Sequence, residues 1–259
     1  METVTSRDGT PIAYDLAGYG PPVIFASGVF NDHTTCAPVA ELLERDHTVV
    51  TYDRRGRGHS GDTAPYAVER EIEDLAALVD LVGGAAAVFG YSSGGVLALK
   101  AAADGVNITR LALYEPPFVV GDPARERPLE RPEALADLVE AGRPGDAVAM
   151  FQTEHLGMPA ELVAHFRESP MWPALEAFAP SMVYDAIITT AYAVPSAAMT
   201  AVATPTLVLN GAATWPGLRA AAVDLAARMP AARHHELAGG ENHTIPPAAT
   251  AAAVREFLR

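Results

Sequence analysis

Cysteine is nearly missing from this chain of 259 residues, where Cys36 stands alone. No intrachain disulfide is possible, and no Cys and His cluster has the spacing of zinc ligands. Lysine is almost as scarce, with Lys100 set against seventeen arginines, and Asp plus Glu outnumber Lys plus Arg by 32 to 18. The formal charge of −14 repels polyanions. Outside Arg54, Arg55 and Arg57 there is no basic stripe, which argues against a nucleic-acid partner. Long apolar runs are missing too, since none reaches the roughly 18 residues of a spanning helix. Residues 1–9 carry Glu2, Arg7 and Asp8 where a secretion signal has a basic start and an apolar core. These absences predict a cytoplasmic protein with no membrane partner.

What is present is an enzyme-like composition, 49% hydrophobic and 19% charged, at a length that open α/β sheets reach as one core. Short apolar runs at 11–16, 23–26, 47–52, 86–89 and 108–114 read as strands, and helical segments alternate with them, which predicts a mostly parallel sheet flanked by helices. Over 68–82, Ile72, Leu75, Leu78, Val79 and Val82 share one helical face, and Glu71 and Asp74 fall among the acidic residues expected to face away from it. From 116 to 203 the alternation stops. Helical pieces at 132–140 and 144–152 are cut by repeated prolines, with no strand between them, which predicts a helical insertion between core segments 1–115 and 204–259. Strand character returns at 206–209 and 233–237, with helices at 216–229 and 247–258.

The chemistry concentrates at Gly90-Tyr91-Ser92-Ser93-Gly94-Gly95, which follows one apolar strand and opens a helix. A serine on a tight strand-to-helix turn needs small neighbours two residues to either side, and Gly90 and Gly94 supply them. Ser92 is the expected nucleophile. Ser93 competes for the role but does not lie midway between the glycines. A plain glycine-rich turn, or one that cradles a phosphate, is the alternative. The Ser93 amide, at a helix N-terminus, is placed to hold an oxyanion. A serine hydroxyl needs a base, and of eight histidines only His243 follows the last strand in a loop before the closing helix. His234 and His235 lie within that strand and read as structural; His33, His155 and His165 read as surface or helix residues.

On these residues the chain resembles the α/β-hydrolase superfamily, particularly its lidded esterase, lactonase and cofactor-free haloperoxidase-like members. Residues 52–60, Tyr-Asp-Arg-Arg-Gly-Arg-Gly-His-Ser, are similar to that family's turn after the fourth strand, and Ser27-Gly28 stands where many members have His-Gly. The resemblance implies an α/β-hydrolase fold with a helical cap at 116–203, inserted after the sixth strand. It also implies an oxyanion hole shared by the Val29 and Ser93 amides. The family's aspartate after the strand at 206–209 is missing from Asn210-Gly211-Ala212-Ala213-Thr214. Some members supply the acid from the end of the preceding strand, where this chain has Glu115. Glu241 is a weaker candidate for orienting His243, while Asp185 and Asp224 read as solvated charges. Residues 53–57 read as a packing and hydrogen-bonding device, with Arg54 a minor candidate for substrate contact.

The expected reaction is cleavage of a carboxylic ester or lactone of a medium-sized apolar substrate through an acyl-enzyme, requiring neither metal nor organic cofactor. Phe30, Tyr91, Phe118, Trp172 and Tyr184 are the expected substrate contacts. A thioester substrate, or a lyase or cyclase using the Ser-His pair for proton transfer, is the alternative.

Overall fold

The computed structural model describes residues 1–121 and 131–259. Eight strands form one sheet: β1 (Glu2–Thr5), β2 (Pro11–Gly18), β3 (Pro22–Ala26), β4 (Thr48–Tyr52), β5 (Ala86–Tyr91), β6 (Ile108–Tyr114), β7 (Thr206–Gly211) and β8 (Ala232–Leu237). Their order is β1-β2-β4-β3-β5-β6-β7-β8. The β1–β2 and β2–β4 pairings are antiparallel and the others parallel. The strand expected at 11–16 is therefore the second, and β1 is an addition: a short, polar edge strand with Val4 as its one large apolar residue, too little for an alternation to register.

The central strands alternate in which face they bury, as the period of two requires. Ile24, Val88, Leu111 and Val208 pack with helices α2 (Val68–Leu81), α3 (Ser93–Ala103) and α10 (Pro216–Arg228). Val23, Phe25, Phe89 and Leu207 pack with α1 (Ala37–Leu43) and α11 (Pro247–Leu258) on the other face. Between β6 and β7 the described residues hold six helices: α4 (Pro132–Glu140), α5 (Pro144–Met150), α6 (Ala160–Arg167), α7 (Trp172–Ala177), α8 (Ala179–Ala191) and α9 (Ala197–Thr200). The helix expected to run on to 152 ends at Met150 and passes into a π-helical turn, Phe151–His155. These helices have an apolar centre of their own, built on Leu135, Val148, Phe151, Trp172 and Met182. Among the described residues no helix is long and apolar enough to cross a membrane.

The direction in which successive connections cross the sheet reverses between the parallel neighbours β3 and β5, because β3 leads outward to β4 on one side and β5 leads to β6 on the other. Such a switch point opens a crevice at the strands' carboxyl ends. Ala26 and Gly90 are register partners there, so the loops carrying Ser27–Phe30 and Ser92 emerge side by side.

Three acidic residues expected at the surface lie inside. Glu71, Asp74 and Asp185 are all buried, held by the buried arginines of the turn after β4. Arg54 donates to both Glu71 oxygens (2.6 and 2.7 Å) and to Asp185. Arg55 makes a two-pronged pair with Asp74 (2.7 and 2.8 Å). Helical periodicity assigns charged residues outward by default, and only a matched buried guanidinium reverses that.

Candidate active site

Ser92 joins β5 to α3 at φ 55°, ψ −126°, a region that side chains other than glycine rarely occupy. The turn closes because its neighbours have no Cβ: one added at Gly90 would sit 2.6 Å from the Gly95 Cα, and one at Gly28 would sit 2.8 Å from the Ser92 Cβ. The Ser92 amide donates to the Tyr114 carbonyl at 3.0 Å, tying the turn to the end of β6.

Glu115, the next residue after β6, is fully buried and also has a positive φ, 47°. Its Oε1 accepts from the Gly211 amide at 2.8 Å and its Oε2 lies 2.5 Å from His243 Nδ1. An ionised carboxylate only accepts, so the imidazole donates from Nδ1 and turns Nε2 away from Glu115. Glu115, and not Glu241, is thus the carboxylate on His243. Gly211 ends β7 and opens a stretch, 211–216, that holds no carboxylate. It gives its amide to Glu115 and lets the histidine loop pass, since a Cβ there would meet the Gly240 Cα at 2.6 Å.

The histidine loop turns through Gly239, Gly240, Asn242 and His243, all at positive φ. Two tyrosines support it from the sheet: Tyr91 donates to the His243 carbonyl and Tyr114 to the Thr244 carbonyl, each at 2.7 Å. Burial pushes both phenols above their ordinary pKa, so they remain donors. Among the described residues the non-glycine positions with positive φ are Phe30, Ser92, Glu115, Asn242 and His243. Each costs about 1–3 kcal/mol, and all five belong to this one site.

Ser92, Ser93, Val29 and His243 line a common cavity of ≈ 720 Å³, within the range of small-molecule sites. Its walls are largely apolar, from Phe30, Phe118, Val119, Phe151, Leu156 and Trp215, with His155, Asp185 and Thr189 the polar contributors. Of the expected substrate contacts, Phe30 and Phe118 line this cavity. Three other expected contacts do not. Tyr91 is used beneath the histidine loop, Trp172 packs within the helices after β6 and donates to Glu176, and Tyr184 stacks on Tyr66 and donates to Asp62. Aromatic character marked all five alike, but the last three are engaged by other partners: Tyr91 by the His243 carbonyl, Trp172 by Glu176, and Tyr184 by Tyr66 and Asp62. Of the histidines, His155 reaches the cavity and stacks on Phe151 at 4.8 Å, while His33 is bonded to Asp53. Arg54 has no free fork for a substrate, being held by Glu71, Asp185 and the Ser27 carbonyl.

Asp185 is the residue that sequence reasoning misplaced most. It reaches in from α8, and its carboxylate accepts from Arg54, Arg57 and the Ser93 hydroxyl at 2.6–2.7 Å. Burial works to raise its carboxyl, yet Arg57, Arg54 and the Ser93 hydroxyl outweigh this and hold the pKa below the ordinary carboxylate value. A signal was available: Asp185 is a lone acid among Met182, Val183, Ala186 and Ile188, where an unpaired charge would be costly.

The family model of the alpha/beta hydrolase family matches residues 23–257. The chain belongs to that family. A crystal structure of an alpha/beta hydrolase from Sphaerobacter thermophilus is 48% identical, covers 100% of both chains and superposes with a TM-score of 0.90. The enol-lactonase of Burkholderia xenovorans is 25% identical with 99% of each chain covered and a TM-score of 0.64. A 3-oxoadipate enol-lactonase of Acinetobacter baylyi is 28% identical over 153 residues, which are 58% of this chain and 56% of the lactonase. The chain thus spans little more than half the length of that curated relative, and about a third or less of two others.

Proposed function

We propose that the protein is a serine hydrolase that cleaves a carboxylic ester or lactone of a medium-sized apolar substrate through an acyl-enzyme. The observation that carries this reading is the 2.5 Å contact of His243 Nδ1 with Glu115, in a cavity shared by His243 and a Ser92 held on a strained, glycine-flanked turn. Membership of a family that includes enol-lactonases adds to it.

In the first half-reaction the Ser92 hydroxyl attacks the carbonyl carbon while His243 Nε2 takes its proton. Glu115 fixes the imidazole's tautomer and stabilises the imidazolium as it forms. The carbonyl's π electrons move onto oxygen, and the amides of Val29 and Ser93 hold the resulting anion. When the tetrahedral adduct collapses, the bond to the alkoxy group breaks and the imidazolium returns its proton to the leaving oxygen. Water then attacks the acyl-enzyme with the same proton transfers and releases the acid and Ser92. In a lactone both products are one molecule, a hydroxy acid. The described residues between β6 and β7 act as a cap that shields the acyl-enzyme, supplying Phe118, Phe151 and Leu156 to the apolar wall.

Labelling with a serine-directed fluorophosphonate tests the reading. The wild-type protein takes up the probe at Ser92 and Ser92→Ala does not. A folded wild type that resists labelling, or equal labelling of Ser92→Ala, would remove the acyl-enzyme.

A further inference from the structure

The loop after β3 satisfies its carbonyls in an unusual way. Three successive carbonyls accept from side chains: Ser27 O from Arg54 Nη1 (3.1 Å), Gly28 O from Arg57 Nη1 (2.5 Å) and Val29 O from Asn31 Nδ2 (2.5 Å). In a trans peptide the C=O and the following N–H point in opposite directions. The bond from Arg57 to the Gly28 carbonyl therefore sets the direction of the Val29 amide, turning it away from the guanidinium. The other fork of Arg57, Nη2, donates to Asp185 Oδ2 at 2.6 Å. Asp185 Oδ1 in turn accepts from the Ser93 hydroxyl at 2.6 Å and from Arg54 at 2.7 Å. One buried chain of charge-assisted hydrogen bonds thus reaches both Val29 and Ser93 from behind.

We propose that Arg57 and Asp185 are positioning residues for the oxyanion hole, Arg57 aiming the Val29 amide through the Gly28 carbonyl and Asp185 fixing Ser93 through its hydroxyl. The proposal rests on the serine-hydrolase reading above and adds a role to each residue. Because Asp185 comes from α8, the hole is completed only when the helices between β6 and β7 are docked on the sheet. A hole held this way keeps its donors in place before charge develops, which is where such donors gain their effect. The arginine is required as an arginine. A lysine keeps the charge but offers a single point, and cannot span Gly28 O and Asp185 in the geometry of a planar fork.

The matched control lies two residues away. Arg55 is equally buried and pairs with Asp74, Asp8 and the Arg70 carbonyl, none of them in the loop 27–31. Arg57→Lys, Ser93→Ala and Arg55→Lys are compared with the wild type in hydrolysis of p-nitrophenyl butyrate and in affinity for an alkylboronic acid. Boronate forms a tetrahedral adduct on the serine and places an oxygen where the oxyanion would lie.

Arg57→Lys is expected to lower kcat by about a hundredfold, and Ser93→Ala by about tenfold, with KM within threefold. Boronate affinity falls in the same proportion. Arg55→Lys lowers the melting temperature yet keeps kcat and boronate affinity within threefold. Should Arg57→Lys fail to fold, Ser93→Ala decides, since it removes one hydroxyl and leaves the amide. Variants that fold and keep both kcat and boronate affinity within threefold overturn the positioning role while the hydrolase reading stands. So does a loss of activity shared by Arg55→Lys. A wild type that neither hydrolyses the ester nor binds the boronate overturns both.

Discussion

The two sides of the cavity bury a carboxylate each, and treat it differently. On the histidine side Glu115 meets a backbone amide and an imidazole, the group that serves as base in the proposed reaction. On the arginine side Asp185 meets two guanidiniums and a hydroxyl, partners whose charge is constant under any working condition. In the proposed reaction it is the histidine side that changes charge. On the arginine side the carboxylate is instead paired with guanidiniums, which keep their charge throughout. Replacing one carboxylate should therefore abolish chemistry with little loss of fold, and disturbing the other side should do more to the fold.

The strongest test of that contrast is Glu115→Gln. The amide oxygen still accepts from the Gly211 N–H, but the amide nitrogen now faces His243 Nδ1 and imposes the wrong tautomer. We expect kcat to fall by about 10²–10⁴-fold with the unfolding midpoint nearly unchanged. Activity close to wild type would mean that Glu115 only caps the strand end and that the two sides do not differ as described.

Arg54→Met is the counterpart. It leaves Glu71 buried and Asp185 with one guanidinium fewer, and removing one partner of a buried ion pair costs about 3–5 kcal/mol. Denaturant unfolding should show that loss, and adding Glu71→Gln should restore part of it by removing the stranded charge. If Arg54→Met were as stable as wild type, the arginine cluster would not be what holds the turn after β4.

Sequence reading reached the two sides unequally, for physical reasons. Ser92 and His243 were legible because the elbow needs glycines at fixed spacing and because the histidine's place is set by the strand order. Glu115 came from resemblance; no local pattern separates a strand-end glutamate that caps from one that orients a histidine. The arginine side was read as a packing and hydrogen-bonding device, and nothing in the sequence pointed to the positioning role proposed for Arg57. Glu71 was assigned outward by periodicity and Asp185 was read as a solvated charge, because neither reading can see a guanidinium arriving from 17 or 131 residues away. The same blindness placed Trp172 and Tyr184 in the cavity. Strands β2 to β7 were legible from apolar runs; β1 was not, because an edge strand needs few apolar residues.

Acid should also separate the sides. Asp185 has a folded pKa below its unfolded one, and so has Asp53, where burial opposes the shift but the amides of His59 and His33 and the His33 side chain prevail. Groups depressed in this way contribute stability that is complete above the unfolded pKa of about 3.9 and is lost as pH falls toward the folded value. Asp74, which burial raises, works in the opposite sense and partly offsets them. The free energy of unfolding is expected to hold steady down to about pH 4 and to decline below it. A decline beginning near pH 6 would point to histidines in place of the arginine cluster.

The smallest expected effect concerns Tyr91, which lies beneath the histidine loop and outside the cavity. Tyr91→Phe keeps the ring against His243, at 5.0 Å between centroids, and removes only the hydrogen bond to the His243 carbonyl. Such a bond is worth about 0.5–1.5 kcal/mol, and Tyr114 still holds the next carbonyl along. We expect a loss of about 1 kcal/mol in stability and a decrease of a few-fold in kcat with KM unchanged, because the tyrosine touches His243 and not the substrate. A change confined to KM would return Tyr91 to the substrate wall. Together with Glu115→Gln, this variant grades the histidine side: the carboxylate governs the proton, and the phenol governs only how firmly the loop that carries the imidazole is held.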